Sequence, residues 1–470
     1  MDNILSQNIN TNKIFIIHFY ELENRLDPIF YGASINKFTS FFQSVSLNDV
    51  AANLMSGYGA GKQDQSDEFN GIIQIRPTNI DADGFLKYDK NIFVSELKFK
   101  EIVDVDDILF NNTNSQELVG KSAILKEKKK LSFSNHITRI RVDKTRIIPD
   151  YLWIILNMYQ RNRIFYSICT NWNNQSGVGL NLLRALRIPL PSLEIQKKIV
   201  DIYKLAYQEK QKKEIMINTH LASMDEYLLS ELGINLPEKN SSLKNRMFTV
   251  KFSEITEGRI DPFLIYNKKF RIEGGNYENR KLKEVALLSK GQSITSQEII
   301  KGNYPVIAGG QTSPYSHNTY NYEGDVITIS ASGAYSGYVW YHANPIFASD
   351  CIVIQAKNMI NSIFLAEVLK IKQQEIYNLQ QGAGQPHVYI KDIEKLSIPL
   401  PPLTKQNQIV NYIQKMRKKA RNLQEEARNI LEQAKNEVEQ VILGNSKKHD
   451  ANIAMPPKNP RNHKTKTPRN

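Results

Sequence analysis

From residue 409 to residue 441, apolar side chains recur in steps of four and three. They are Ile409, Ile413, Met416, Ala420, Leu423 and Ala427, then, after one extra four-residue step, Leu431, Ala434, Val438 and Val441. A period near 3.5 predicts a helix whose narrow apolar stripe lies against another helix, the extra step being a stutter of the kind coiled coils carry. Gly444 is placed to close it. An earlier seam runs through Ile199, Tyr203 and Ala206, then Ile217, Leu221, Met224 and Leu228, and Gly233 and Pro237 end it. The two intervening seam positions fall on Lys210 and Lys213, so the middle of the first helix is charged. Helices of about forty residues span about 60 Å at 1.5 Å per residue. Neither buries its stripe alone, and the economical arrangement is an antiparallel pair acting as a spacer.

Each helix follows a copy of one short stretch. IPLPSLEIQKKIV at 188–200 and IPLPPLTKQNQIV at 398–410 share eight of thirteen positions without a gap. Both read as a strand-like end, a proline stop at Pro191 or Pro401, and a helix start. Ser192 and Thr404 are the candidate N-caps. The repetition reaches further back. ENRLDP at 23–28 recurs as EGRIDP at 257–262, and LNDVA at 47–51 as LKEVA at 282–286. Arg25, Asp27, Arg259 and Asp261 read as salt-bridged entries to the two repeats. The chain is thus a duplicated unit, a globular head followed by a long helix, with about two dozen additional residues in the first copy.

Within the heads, alternating apolar runs bounded by turn residues predict short strands at 71–77, 107–110, 121–125 and 137–142, and at 304–310, 325–330, 336–342 and 351–356. PDYLWIILNMYQ (149–160) and SIFLAEVLKIKQQ (362–374) predict amphipathic helices at matched places. The fold class expected is α+β: two mixed heads of short strands, separated by a pair of long antiparallel coiled-coil helices, with pseudo-twofold symmetry from the duplication.

Composition adds a sign. The 470 residues carry a formal charge of +13 and 41% hydrophobic residues, the balance of a globular protein with a polyanionic partner. Residues 446–470 contribute +6 (seven Lys/Arg, one Asp) and read as a disordered basic tail. Cys169 and Cys351 are too few for a disulfide framework and lie in no metal-binding spacing. No leader-like or membrane-length apolar run is present, so a cytoplasmic protein is expected.

No catalytic constellation stands out. GKS at 120–122 lacks the first glycine of a phosphate loop, that place being Ser115, and precedes a strand pattern. GYGAGK at 57–62 follows no clear strand and reads as a turn. Asp89 with Glu96-Leu97-Lys98 matches a loose nuclease pattern that a Lys-rich chain produces by chance. There is no NPPY or DPPY tetrapeptide and no FxGxG loop of a methyltransferase, and the eight histidines form no metal-ligand pair. What the heads do contain is loops dense in amides, hydroxyls, aromatics and cations. The first offers Asn111, Asn112, Asn114 and Lys121, then Asn173, Asn174 and Gln175, with Lys62 and Arg76. The second offers Gln311, Ser313, Tyr315, Ser332, Tyr335, Gln381, Gln385 and His387, with Lys290. Asn and Gln pair bidentately with adenine, and Arg or Lys with guanine, so these side chains suit base-edge reading. Plain polar surface loops have the same composition.

Together, the paired IPLPxLxxQxxIV signatures, the seam after each, the head before each and TNSQELVGKSAI (113–124) resemble the specificity (S, HsdS-type) subunit of a type I DNA restriction-modification system. The match covers roughly residues 20–445. The resemblance implies target recognition domains at 1–190 and 237–401, spacer helices at 191–236 and 402–445, and the tail at 446–470. Each recognition domain would read half of a bipartite double-stranded DNA site. Pro191, Gln196, Ile199, Pro401, Gln406, Ile409, Ile413 and Leu423 would serve structure and subunit docking. The partners implied are two methyltransferase subunits and the restriction/translocase subunits. These would hold S-adenosylmethionine, ATP and Mg²⁺, with no cofactor or metal on this chain and no chemistry performed by it. Two departures stand: the charged middle of the first seam, and Gly177 where the second head has His387. A single-chain nuclease with its own specificity heads, or a coiled-coil scaffold for protein partners, are the competing readings.

Overall fold

The computed structural model describes residues 40–95, 102–173, 175–236, 272, 275–382 and 384–444. Outside them lie Arg25, Asp27, Arg259, Asp261, Glu96-Leu97-Lys98, Asn174 and the basic tail. The chain divides into two compact units: Met1–Gln211 with Ala427–Asn470, and Lys212–Glu426. Each unit therefore owns one head and a segment of each long helix.

In the first unit, Ser44–Ser46 pairs antiparallel with Arg187–Pro189, tying the start of the head to the IPLP end. The main sheet has the order Ala51–Ser56, Ile137–Val142, Ile108–Asn111, Ser122–Ile124, every pair antiparallel. Both faces of this sheet are covered, because its residues alternate between two cores. Ile108, Phe110, Ile140 and Val142 face helix α1 (Pro149–Arg161), whereas Leu109, Ala123 and Ile137 face a second sheet. That second sheet runs Gln65–Ser66, Phe93–Ser95, Gly71–Ile75, Leu131–Phe133, the last pair parallel. Short helices α2 (Ile164–Ile168) and α3 (Leu180–Ala185) precede the long α4 (Leu193–Leu232). Ile199 and Tyr203 of α4 join this core together with Leu431, Val438, Val441 and Ile442 from the last helix.

The second unit repeats the plan. Asn279–Lys281 pairs with Ser397–Pro399, and α5 (Leu282–Val285) leads into the main sheet. Its order is Ala286–Lys290, Cys351–Ala356, Val326–Ser330, Val339–His342, again all antiparallel. The second sheet has three strands, Ser316–His317, Tyr304–Ile307 and Phe347–Ala348, its last pair parallel as in the first unit. Helices α6 (Ser362–Ile371), α7 (Gln373–Tyr377), α8 (Ile390–Ile393) and α9 (Leu403–Leu443) follow. Met224, Leu228 and Leu232 of α4 pack in one core with Ile409, Val410, Ile413 and Met416 of α9. Here the helix segments run in opposite directions, since Glu231 pairs with Lys405 and Lys213 with Glu426, the latter at 2.7 Å. Tyr227 stacks on Tyr412, ring centroids 3.9 Å apart.

The repeated glutamine joins helix to head identically in both units. Gln196 Oε1 accepts from Ile148 N–H, and its Nε2 donates to the carbonyls of Arg146 and Pro191. Gln406 Oε1 accepts from Asn361 N–H, and its Nε2 donates to the carbonyls of Met359 and Pro401. Both glutamines are fully buried. The N–H each one takes belongs to the residue just before α1 or α6, so one side chain locks the start of the long helix to the start of the head helix. Buried amides hold their place only when donors and acceptors are met in this way. Pro191, Ile199, Pro401, Ile409 and Ile413 are likewise buried, and Leu423 is half-buried. The resemblance assigned these residues to structure or docking. The buried ones face the interior of their own units.

Two expectations change. Thr404 is not the N-cap of α9: the helix already begins at Leu403, and Pro402 stands where Ser192 stands in the first copy. The Pro402 carbonyl accepts from Lys405 and Gln406 N–H, so the turn closes on the backbone without a side-chain cap. Leu221 is not in the seam. It is 43% exposed, whereas His220 is half-buried. From Lys213, a step of four reaches Ile217 and a further step of three reaches His220. The 3.5-residue period therefore outranks the apolar side chain one place on.

Candidate nucleic-acid interface

In the first head, the two amide-rich loops meet. Thr113–Asn114 pairs with Gln175–Gly177, which pairs in turn with Thr170–Trp172, giving a small three-stranded sheet. Asn173 and Gln175 are exposed at its turn, Asn173 with a φ of +37°. Asn114 is half-buried, its Oδ1 accepting from Ser115 N–H. Lys121 is half-buried and Lys62 exposed. Arg76 is turned onto Gln74 Oε1, at 3.2 and 3.1 Å from Nε and Nη2. Asn174 lies outside the described residues.

Asn111 and Asn112 differ from the expectation, for both are buried. Asn111 Nδ2 donates to Leu118 O at 3.1 Å. Asn112 Nδ2 donates to Asn135 O and to Thr138 Oγ1, and its Oδ1 accepts from Thr113 Oγ1. They shape the loop from inside and present no free edge to a base. The glycine-rich stretches have packing reasons as well. Gly120 has a φ of +90°, and a Cβ there would collide with the Phe165 ring. At Gly57 a Cβ would run into the Phe133 carbonyl, so GYGAGK begins as a close backbone crossing.

In the second head, two loops are laced together by backbone and a third joins them through a side chain. Gly333 N–H donates to Pro386 O, Val388 N–H to Ala331 O, and Gln381 and His387 exchange both of their backbone bonds. Ser330 Oγ donates to Gly310 O at 3.1 Å. Ser332 and Gln381 both bridge His387, as Thr113 and Thr170 both pair with Gly177. His387 and Gly177 thus occupy equivalent places with different side chains. Gln311, Tyr315, Tyr335 and Gln385 are exposed, and Ser332 and His387 half-buried. Ser313 Oγ is held by the carbonyls of Val306 and Tyr315, Ser332 Oγ donates to Asp350, and Gln381 Nε2 donates to Asp392 at 2.6 Å. Lys290 is exposed at the end of its strand.

Besides Tyr315 and Tyr335, three further exposed aromatics stand out that the sequence reasoning did not single out. Trp172 is 45% exposed, Tyr389 43% and Tyr58 42%. Trp172 lies over Gly177, so close that a Cβ on the glycine would clash with the indole. The available signal is an aromatic inside TNWNNQSG, a polar loop where no core calls for one.

Two heads of one main-sheet topology, each ending in a laced polar loop cluster and each locked to a long helix, define a duplicated recognition protein. The family described as "Type I restriction modification DNA specificity domain" matches residues 42–216 and 274–433, and the chain belongs to that family. Specificity subunits of this class are non-catalytic. Among similar proteins is a putative type I restriction enzyme MjaX specificity subunit from Methanocaldococcus jannaschii, 24% identical over 85% of this chain and 91% of its own length. A putative type I specificity subunit, S.MpnORF507P of Mycoplasma pneumoniae, is 32% identical over 31% of this chain and 41% of its own. A chain from a solved structure concerned with complex assembly and conformational transition of the type I R-M system matches with a TM-score of 0.50. It is 15% identical and covers 86% of this chain and 98% of that one, a likeness of fold alone.

Proposed function

We propose that this chain is the specificity subunit of a type I restriction-modification complex, binding double-stranded DNA at a bipartite site. Each head reads one half-site, through exposed Asn173 and Gln175 with Lys121 and Trp172 in the first. Gln311, Tyr315, Tyr335, Gln385 and His387 do so in the second. Helices α4 and α9 form an antiparallel, pseudo-twofold coiled coil that sets the gap between half-sites and docks two methyltransferase subunits, which the restriction subunits join. Recognition domains at 1–190 and 237–401, with helices at 191–236 and 402–445, carry this division of labour in the cytoplasm. S-adenosylmethionine, ATP and Mg²⁺ belong to the partner subunits. Among the described residues, no helix is long and apolar enough to cross a membrane. The observation that carries the reading is the repetition of main-sheet order, glutamine lock and laced polar loops in both units.

Major-groove modules work at separations of about one helical turn, some 34–36 Å, or a multiple. Removing one heptad between Leu423 and Leu431, in the complex with its methyltransferase subunits, is therefore expected to change the gap between modified half-sites. Methylation mapping reads this directly. An unchanged gap in a folded variant contradicts the ruler.

A further inference from the structure

Residues 81–86 of the first head form a turn aimed at the two helix segments of its unit. Asp81 Oδ1 accepts from Asp83 N–H at 2.9 Å and Phe85 N–H at 2.8 Å. Gly84 has a φ of +84°, and a Cβ there would meet Asn157 Nδ2 and Ser122 O, each at 2.7 Å. Trp153 Nε1 donates to Gly84 O at 3.0 Å, and the Phe85 ring stacks on Tyr207 of α4 at 3.9 Å. The turn is thus fixed by its neighbours along its length. At its tip, Asp83 pairs with Lys210 of α4 at 2.6 Å and Lys435 of α9 at 2.9 Å. Lys210 is one of the two charges that interrupt the first apolar seam.

Beside the turn lies a cavity of about 410 Å³, lined among others by Ile154, Met158, Arg161, Tyr203 and Val438. Around it Tyr203 and Val438 still pack in the head's core and Phe85 stacks on Tyr207, so only the cavity itself is left unfilled. The ion pairs span what packing leaves open. Burial pushes the Asp83 carboxyl up, but hydrogen bonds and charges from Lys210 and Lys435 outweigh it and hold it below the usual carboxylate value. Asp83 is therefore ionised at neutral pH, the state the two lysines require.

We infer that Asp83 is a positioning residue, a latch that fixes the tilt of the first head on its helix segments and thereby sharpens the gap at which that head reads DNA. The second clause rests on the proposed function; the first does not. The part of these pairs in the latch is to select one geometry of the head, whatever they add to stability.

The test uses the full chain with its methyltransferase subunits and sites whose gap is lengthened or shortened by one base pair. Asp83→Ala is expected to flatten the gap preference several-fold while discrimination at each half-site base stays unchanged. Asp83→Glu restores part of the preference. Hydrogen exchange should speed up around Tyr203–Gln211 and leave Ile137–Val142 protected. A folded Asp83→Ala chain with the parent's gap preference and the parent's exchange overturns the latch. If Asp83→Ala does not fold, Lys435→Met decides by the same two readouts, with a smaller flattening expected and no change overturning the proposal. If the parent itself shows no gapped site, the functional reading fails, and exchange alone upholds or overturns the latch.

Discussion

Replacing Asp107 by alanine is expected to destabilise the first unit by about 3–5 kcal/mol, the range for removing one partner of a buried ion pair. Asp107 and Arg139 are each 2% exposed, with Arg139 Nε 3.9 Å from the carboxylate. Arg141 reaches both Asp107 carboxylate oxygens, at 2.8 and 2.7 Å, and Asp104 N–H donates to Asp107 Oδ2 at 2.8 Å. Arg141 is 38% exposed and can turn to water, so its share of the loss is small. Arg139 cannot. It keeps Ile102 O and Asn53 Oδ1 but loses the compensating charge in the middle of the main sheet. Thermal unfolding should fall by roughly 10 °C for a unit of this size. A change under about 1 kcal/mol would mean that neighbouring groups, not Asp107, balance the buried guanidinium.

Gln406→Ala is the second large effect. It strips partners from Asn361 N–H, Met359 O and Pro401 O at once, inside a closed site. Buried polar groups left unsatisfied cost about 1–3 kcal/mol each, and water entering the small space recovers part, leaving a net loss of about 3 kcal/mol. Asn361 also caps α6 through its side chain, at 2.9 and 3.1 Å from Ile363 and Phe364 N–H, so the helix itself should survive. The expected signature is lower stability with faster amide exchange at Asn361 and Gln406, and little change in helical content. Gln196→Ala should behave alike in the first unit, and opposite behaviour of the two would contradict the equivalence of the locks.

Periodic features are the legible ones. All eight strands and both head helices expected from alternation and from 3.6-residue patterns are present, because apolar spacing reports which face is covered. Nine of the ten apolar seam residues from Ile409 to Val441 are buried, with Leu423 half-buried. The strands Ala51–Ser56 and Ala286–Lys290 do not announce themselves; both lie in runs with weak alternation. Polar residues are harder to place. Gln196 and Gln406 are assigned by their signature to structure or docking, but their role as interior locks is not visible there, since their N–H partners come from about fifty residues away. Asn111 and Asn112 share composition with Asn173, yet only the packing of their strand end puts the first two inside. Asp83 carries no local pattern at all; its meaning comes from two lysines in distant helices.

The central claim is that one chain specifies two DNA half-sites at a fixed separation. Mapping methylated bases in DNA modified by this chain with its methyltransferase partners tests it most directly. The account predicts two short specified elements with an unspecified gap of constant length, one modified base in each. A single uninterrupted motif, or half-sites modified at freely varying gaps, would contradict it.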